Sequence, residues 1–428
     1  MGMSRPIKDM SMPDKKTRVP LYALYITSLI SVTGDAMAAI AIPWFVLETT
    51  GSTVQTGIVA FFSVAPIVIG MFFGGTIVDR TGYKPVSVFA DLASGLTILL
   101  IPVLYATVGL EFWQLLVLIF LGNLMDAPGR SARQSLLPEV AEAAGMSLER
   151  AAGLNESLQR ATTMIGAPIA GLLIAALGAT GVLAIDAITF IISALGMLIF
   201  IPSHLANKNR PNTGSSYWAD LKEGYRFMRT DRLLLSLMLI IMVTNMIDYS
   251  LGAVTLPVYM RTLFGPDSGA TTLGLVSGAF GAASLLSGLL YSWLGDRFPN
   301  QLRLVAICFV LLSARFFLYA FFPPVIGLVA ISVLAGIFAG PLNPVLSTIE
   351  YRRIPPAMRG RVQGMMSAGV LVAMPIGGVL GGFMLEWVDM QTALVLYGAA
   401  YIVSTSLLFF NRDDATYTAP SVERATGD

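Results

Sequence analysis

Asp35 stands deep inside the first long apolar run of the chain, between Gly34 and Ala36, with no cation within a helical turn. An ionised side chain at a bilayer centre costs roughly 2.5 to 3.5 kcal/mol on insertion scales, so each such charge needs a partner, a cavity or a job. A carboxyl desolvated without a partner can carry a proton in place of a charge, and proton carriage is the chemistry expected of Asp35. The alternative is a carboxyl hydrogen-bonded to a neighbouring helix for packing. Asp248 has a comparable place in a later run, one turn from Asn245 and beside Tyr249, where charge and aromatic contact could hold a cationic molecule. It could equally pair with Arg315 or cap a break near Gly252. Glu156 and Arg160 are four apart and can neutralise each other along one helical face, with proton relay by Glu156 as the alternative. Asn343 lies between Pro341 and Pro344, where a broken helix frees backbone groups that must face protein or water, so it is a cavity-lining candidate. Asp186 falls near the outer end of its run, and no role is assigned to it.

Other chemistries are poorly supplied. The single Cys308 cannot form an intramolecular disulfide, and the single His204 cannot build a zinc site with cysteine partners. There is no GxxxxGK[ST] sequence to cradle a nucleotide, and no clustered nucleophile and base, so neither a cofactor nor enzymatic activity is expected. The 27 Lys and Arg nearly balance 26 Asp and Glu, which leaves no basic excess for nucleic acid.

The elements that must position these residues are membrane helices. Of the 428 residues 55% are hydrophobic and only 12% charged, with mean hydropathy +0.73, where soluble proteins are about one quarter charged. Runs long enough to cross roughly 30 Å of hydrocarbon follow one another, whereas a transmembrane barrel would show short alternating segments. Twelve are expected: Pro20 to Leu47, Val54 to Val78, Val86 to Val108, Phe112 to Met125, Ala152 to Leu177, Gly181 to Ile201, Leu233 to Met260, Leu273 to Leu294, Leu302 to Phe322, Val325 to Ser347, Val362 to Met384 and Thr392 to Phe410. The fourth is short and ends in the polar stretch DAPGRSARQ. All cations except Arg160, Arg261 and Arg315 fall on one side of this arrangement, which places both termini in the cytoplasm. No cleavable signal pattern precedes the first span.

The chain divides into an N-terminal tail (1–19), a six-helix bundle (20–201), a polar linker (202–232), a second six-helix bundle (233–410) and a C-terminal tail (411–428). In the linker Trp218, Leu221, Tyr225 and Met228 recur on one helical face, which predicts an amphipathic helix on the inner membrane surface; a partner-binding role is the alternative. Landmarks repeat between the bundles. Asp35 precedes Pro43 as Asp248 precedes Pro257; GTIVDRTGYK (Gly75 to Lys84) is echoed by SWLGDRFPNQ (Ser292 to Gln301), and GAPIAG (Gly166 to Gly171) by MPIGG (Met374 to Gly378). Such halves usually pack around a midplane site and rock about it.

On these residues the chain resembles the major facilitator superfamily over nearly its whole length. Gly75-x-x-x-Asp79-Arg80-x-Gly82-x-Lys84 is similar to that superfamily's signature between helices 2 and 3. PGRSARQSLLPE (Pro128 to Glu139), AIDAITFIISAL (Ala184 to Leu195) and IPPAMRGRVQG (Ile354 to Gly364) resemble the drug:proton antiporter branch that holds macrolide exporters and Tap-type multidrug efflux pumps. The resemblance implies an all-α membrane protein of twelve helices in two pseudo-symmetric bundles. It implies a bacterial plasma-membrane protein that exports amphipathic or cationic molecules, such as tetracyclines, aminoglycosides or macrolides, in exchange for protons. An exporter of an endogenous siderophore or metabolite, and a sensor that kept the fold without transport, are the alternatives. A monomer in the lipid bilayer is expected.

In the signature, Gly75 permits a close helix contact and Asp79 can cap the positive end of a nearby helix. The resemblance makes that partner the start of helix 11, after Arg359-Gly360-Arg361, so the loop would close the inner side. Arg80, Gly82, Lys84, Asp91, Asp126, Arg130, Asp296, Arg297 and Arg361 are assigned to the same inner gate.

Overall fold

The computed structural model describes residues 18–203, 217–298, 300–321 and 324–410. In hydrocarbon each segment must pair its own backbone groups, and the described elements are helices throughout. They are α1 (Val19–Thr50), α2 (Thr53–Thr81), α3 (Tyr83–Thr107), α4 (Phe112–Ala144), α5 (Leu148–Phe200), α6 (Tyr217–Thr230), α7 (Arg232–Ser250), α8 (Leu256–Leu294), α9 (Gln301–Phe321), α10 (Val325–Ala339), α11 (Leu342–Arg353), α12 (Arg359–Trp387) and α13 (Met390–Phe410).

Nine helical stretches among the described residues are long and apolar enough to cross a membrane. Two of them turn a corner at a glycine: α5 at Gly178 (φ 73°, ψ 167°), and the joined α7 and α8 at Gly265 (φ 75°, ψ −175°). A side chain is strained at such positive φ, so glycine is what lets one apolar stretch become two helices, 148–177 and 179–200 in one case, 232–264 and 266–294 in the other. Between α7 and α8 the helix widens into a π turn, Leu251–Thr255, at the place where a break near Gly252 was expected. The break foreseen around Asn343 falls between α10 and α11, at Gly340 and Pro341.

Helix α4 departs from the sequence expectation. The span predicted to end at Met125 continues without interruption through Pro128, Gly129 and Pro138 to Ala144. The polar stretch is no loop, because its polar and small residues have partners on other helices. A Cβ on Gly129 would come within 2.7 Å of the Ala90 Cβ on α3, and one on Gly70 of α2 within 2.5 Å of the Ala127 Cβ. The charges of the stretch are paired as described below.

The parts of the chain before and after the linker meet closely at the end that carries Thr50 and Trp387. Added Cβ atoms on Gly57 (α2) and Gly382 (α12) would each lie 2.6–3.1 Å from the other helix's backbone, and Gly171 (α5) and Gly274 (α8) approach as closely. Thr53 Oγ1 donates to the Gly382 carbonyl at 3.1 Å, and Arg261 donates to the Leu47 carbonyl. Trp44, Phe45 and Tyr259 are all buried here. Trp44 packs beside Gly269, and the Tyr259 hydroxyl donates to the Tyr319 carbonyl.

The linker helix α6 lies on α12. Its packed residues are Gly224, whose Cβ position is 2.5 Å from the Arg361 carbonyl oxygen, and Met228, which is fully buried. Tyr225, expected on the same apolar face as Met228, is instead exposed, with the Arg229 guanidinium 5.8 Å from its ring centre. The side chains of Trp218 and Leu221 lie outside the described residues.

Candidate functional site

Where α1, α3, α4 and the second arm of α5 meet, carboxylates and guanidinium groups form a continuous chain. Asp35 has the cation that its own helix lacks: the Arg130 Nη2 of α4 donates to Asp35 Oδ2 at 3.0 Å. The expectation of an unpartnered Asp35 is thereby corrected, since the partner is 95 residues away and reaches it only through helix packing. Arg130 also bonds Asp126 one turn earlier on α4. Arg133, one turn further on, is buried and bridges Asp126 Oδ1 at 3.4 Å and Asp91 Oδ1 of α3. Asp91 Oδ2 accepts in addition from Ser193 Oγ at 2.7 Å. Asp91, Asp126 and Arg130, assigned from sequence to the inner gate, are thus tied to Asp35 and to one another.

Asp186 joins this group although its place in the sequence suggested the outer end of its helix. It packs against α1 at Gly34, where a Cβ would come within 2.1 Å of Asp186 Oδ1, and its carboxylate accepts from Thr189 Oγ1 at 3.3 Å. Among the described residues no ion pair reaches it. Asp35, Asp126, Asp186 and Arg130 together line a cavity of about 210 Å³, completed by Asn123 and Ser63 and by apolar residues including Ile42, Ile67 and Phe190. Tyr249 and Ala253 close it from α7 and the π turn, so both parts of the chain contribute. A second cavity of about 90 Å³, lined by Arg130, Arg133, Gln134, Asn155 and Gln159, meets the first at Arg130. Arg130 therefore lines both the acidic chamber and this smaller cavity, which α1, α4 and α5 bound.

Across from these, Asp248 of α7 is paired with Arg315 of α9, and the Tyr401 hydroxyl donates to Asp248 Oδ2 at 3.4 Å. The Arg315 guanidinium is itself buried, with the Phe316, Phe280 and Tyr401 ring centres 4.8, 5.6 and 6.0 Å away, in contacts a desolvated cation favours. Of the two sequence alternatives for Asp248, the geometry holds the ion pair. Asn245 donates to the Ile241 carbonyl of its own helix at 2.9 Å, and Tyr249 to the Ala60 carbonyl of α2 at 2.9 Å.

The remaining candidates lie apart. Glu156 and Arg160 form the intrahelical pair at 3.0 Å, and both side chains are more than half exposed. Asn343 is exposed and borders neither cavity. Gly82 (φ 93°) makes the turn from α2 to α3, Arg80 is exposed, and Lys84 donates to the Ile201 carbonyl at 2.7 Å. Arg297 is exposed in a short turn, Gly295–Arg297, and Arg361 pairs with Glu223 of α6 at 2.9 Å. The side chains of Asp79 and Asp296, like the packing at Gly75, lie outside the described residues. Sequence reasoning missed Arg133, which lies in the polar stretch after the fourth expected span, and the centrality of Asp186. Its visible signal was the acidic residue inside the otherwise apolar AIDAITF.

The family model of the Major Facilitator Superfamily matches residues 24–309 and again 238–426. The multidrug efflux pump Tap of Mycobacterium bovis is 29% identical over 397 residues, covering 91% of this chain and 93% of that protein. Macrolide efflux protein A of Streptococcus pyogenes is 22% identical, covering 90% of this chain and 94% of that protein. In fold, the chain is similar to the crystal structure of nucleoside transporter NupG, with TM-score 0.71 and 16% identity over 91% of this chain and 98% of that one.

Proposed function

The chain belongs to the major facilitator superfamily, a family of transporters, and we propose that it is a secondary active multidrug exporter that exchanges amphipathic or cationic molecules for protons. The observation that carries this reading is the composition of the 210 Å³ chamber, in which three carboxylates, Asp35, Asp126 and Asp186, face a single guanidinium, Arg130. An excess of carboxylate in a low-dielectric chamber attracts either a proton or an organic cation, and the two compete for the same charge. Competition between ligands that favour different conformations is the minimum that coupling requires. The likeness to efflux pumps in Mycobacterium and Streptococcus supports export as the direction.

In this reading twelve helices cross a bacterial plasma membrane, residues 20–201 and 233–410 form the two rocking bundles, and both termini are cytoplasmic. The tight end near Thr50 and Trp387 is then the outer one, and the passage lined by Gln134, Asn155 and Gln159 leads from the chamber toward the cytoplasm. Proton entry supplies about 2.3 kcal/mol per 100 mV and about 1.4 kcal/mol per pH unit. When Asp35 takes a proton its hold on Arg130 weakens, and Arg130 can turn wholly to Asp126; Asp35 and Arg130 therefore act as the switch between the chamber and the passage. Asp79 with Arg80, Lys84 and the start of α12 closes the inner side in the opposite conformation. Tyr249 and Ala253 form the far wall, and Asp248, next to Tyr249, has its charge balanced by Arg315.

The test is pH-gradient-driven uptake of ethidium into inside-out vesicles. Wild type should concentrate the dye, and Asp35→Asn should lose concentrative uptake while retaining downhill exchange. Concentrative uptake at an unaltered proton-to-dye ratio in Asp35→Asn would remove Asp35 from the mechanism.

A further inference from the structure

Asp186 has no part in the switch just described, and its surroundings give it one. Four carboxylates, Asp35, Asp91, Asp126 and Asp186, share two guanidinium groups, Arg130 and Arg133. Asp91 is held by Arg133 and Ser193, Asp126 by both arginines, and Asp35 by Arg130. Asp186 receives only the Thr189 hydroxyl among the described residues, yet it is 1% exposed and lines the same chamber as Asp35. Fully ionised, the cluster would carry two more negative charges than positive in a largely buried place, where screening is weaker than at a surface. Asp186 is the carboxyl left over once the others are paired.

The contact with α1 makes this more than a spare charge. Gly34 directly precedes Asp35, and its missing Cβ is the space that the Asp186 carboxylate and the Thr189 hydroxyl fill; a Cβ there would lie 2.1 and 2.2 Å from them. The Asp186 carboxyl therefore lies against the α1 backbone one residue before Asp35, and the two carboxyls line one chamber together with the Arg130 guanidinium. Carboxyls that share a site titrate as a pair, because the first charge opposes the second.

We infer that Asp186 and Asp35 work as one carboxyl pair that holds the exchanged proton, and that an organic cation takes Asp186 as its counter-ion when that proton leaves. The step balances: the carboxyl O–H breaks, the proton passes by way of Arg130's polar passage to cytoplasmic water, and the cargo's positive charge replaces it, so the charge of the chamber is unchanged. The charged and titratable groups that face the pair are Asp91 on α3, Asp126, Arg130 and Arg133 on α4, and Tyr249 on α7. This inference rests on the proton-exchange reading above and adds to it the class of cargo, a molecule with a permanent or protonated amine charge, and the residue that meets it.

The experiment is tetraphenylphosphonium binding to the purified protein in weakly buffered detergent, with a pH dye reporting protons released per cation bound, and affinity measured across pH. Wild type should release about one proton per cation and lose affinity about tenfold per pH unit on the acid side. Asp186→Asn should bind the cation weakly, release no proton and show a flat pH profile. Full proton release with the wild-type profile in Asp186→Asn would overturn the inference while leaving exchange itself standing. Absence of both release and pH-gradient-driven uptake in wild type would instead overturn the proton-exchange reading. Should Asp186→Asn fail to reach the membrane, Asp186→Glu and Gly34→Ala decide the matter, since each moves the carboxyl without removing it. A shifted midpoint of the pH profile supports the pair, and wild-type profiles in both variants overturn it.

Discussion

At the scale of single residues, burial decides which ion pairs matter. Arg133 is 7% exposed and serves two carboxylates, whereas Arg160 and Glu156 are more than half exposed and serve only each other. Removing one partner from a buried pair leaves an uncompensated charge and costs about 3–5 kcal/mol, while an exposed pair is worth about 0–1 kcal/mol. Arg133→Met should therefore lower the thermal midpoint in detergent strongly, and adding Asp91→Leu should recover much of the loss. Arg160→Gln should leave the midpoint nearly unchanged; equal losses in the two single variants would refute the ranking. The same contrast explains what could be read from sequence. That Asp35 lies well inside a long apolar helix needs only hydropathy, so it was legible. That Arg130 reaches it was not, because both residues carry their charge irrespective of fold and only the α1 and α4 contact unites them. Asp186 was underrated for the same reason: counting from the start of its helix puts it near one end, and its place beside Asp35 comes from packing on Gly34.

At the scale of elements, local signals failed where distant partners overrode them. Pro128, Gly129 and the neighbouring charges read as the end of α4, yet the small residues fit against α2 and α3 and the charges pair off, so the helix continues to Ala144. The linker helix was legible in its existence and its amphipathic pattern, but its seat was not. Gly224 allows α6 to touch the Arg361 backbone, with Glu223 to Arg361 at 2.9 Å and Asp231 to Arg353 at 2.9 Å on either side. The Glu223 pair is partly exposed, so Glu223→Gln should cost less than about 1 kcal/mol. Gly224→Leu must push the helix off the Arg361 carbonyl, and overpacking of this kind costs about 1–3 kcal/mol. Limited trypsin digestion at the exposed Arg226 and Arg229 should accordingly speed up in Gly224→Leu and hardly change in Glu223→Gln. Equal digestion of both variants and wild type would show that the glycine contact does not hold the helix.

At the scale of the whole molecule, glycine contacts close one end, and in the proposed transport cycle they would favour the conformation closed there. Gly57 with Gly378 and Gly382, and Gly171 with Gly274, let α2 meet α12 and α5 meet α8 backbone to backbone, in matching places in the two parts of the chain. The repeated landmarks suggest related halves, and these matching contacts agree with that, but which end would be closed was not legible, because every conformation uses the same sequence. The charge pairs do not follow the symmetry: Asp35 takes its arginine from α4, Asp248 takes its own from α9. This asymmetry leaves the excess of carboxylate on the side of Asp35, where the proposed proton chemistry would sit, and balances Asp248 with its own arginine. Gly382→Leu should test the closure. The added side chain has no room against Thr53, Val54 and Gly57, and a penalty of about 1–3 kcal/mol on the closed end, the outer one in the proposed orientation, corresponds to a shift of about 5–150-fold in the conformational ratio. With the buried Cys308 replaced by serine and a cysteine placed at Ser63 in the chamber wall, an impermeant maleimide added outside should label Gly382→Leu faster than its parent. Turnover should fall together with this gain, since each cycle must pass through the state that the leucine disfavours. Faster labelling from the cytoplasmic side alone would mean that the end near Thr50 and Trp387 is the inner one, and would reverse the orientation on which the direction of proton flow depends.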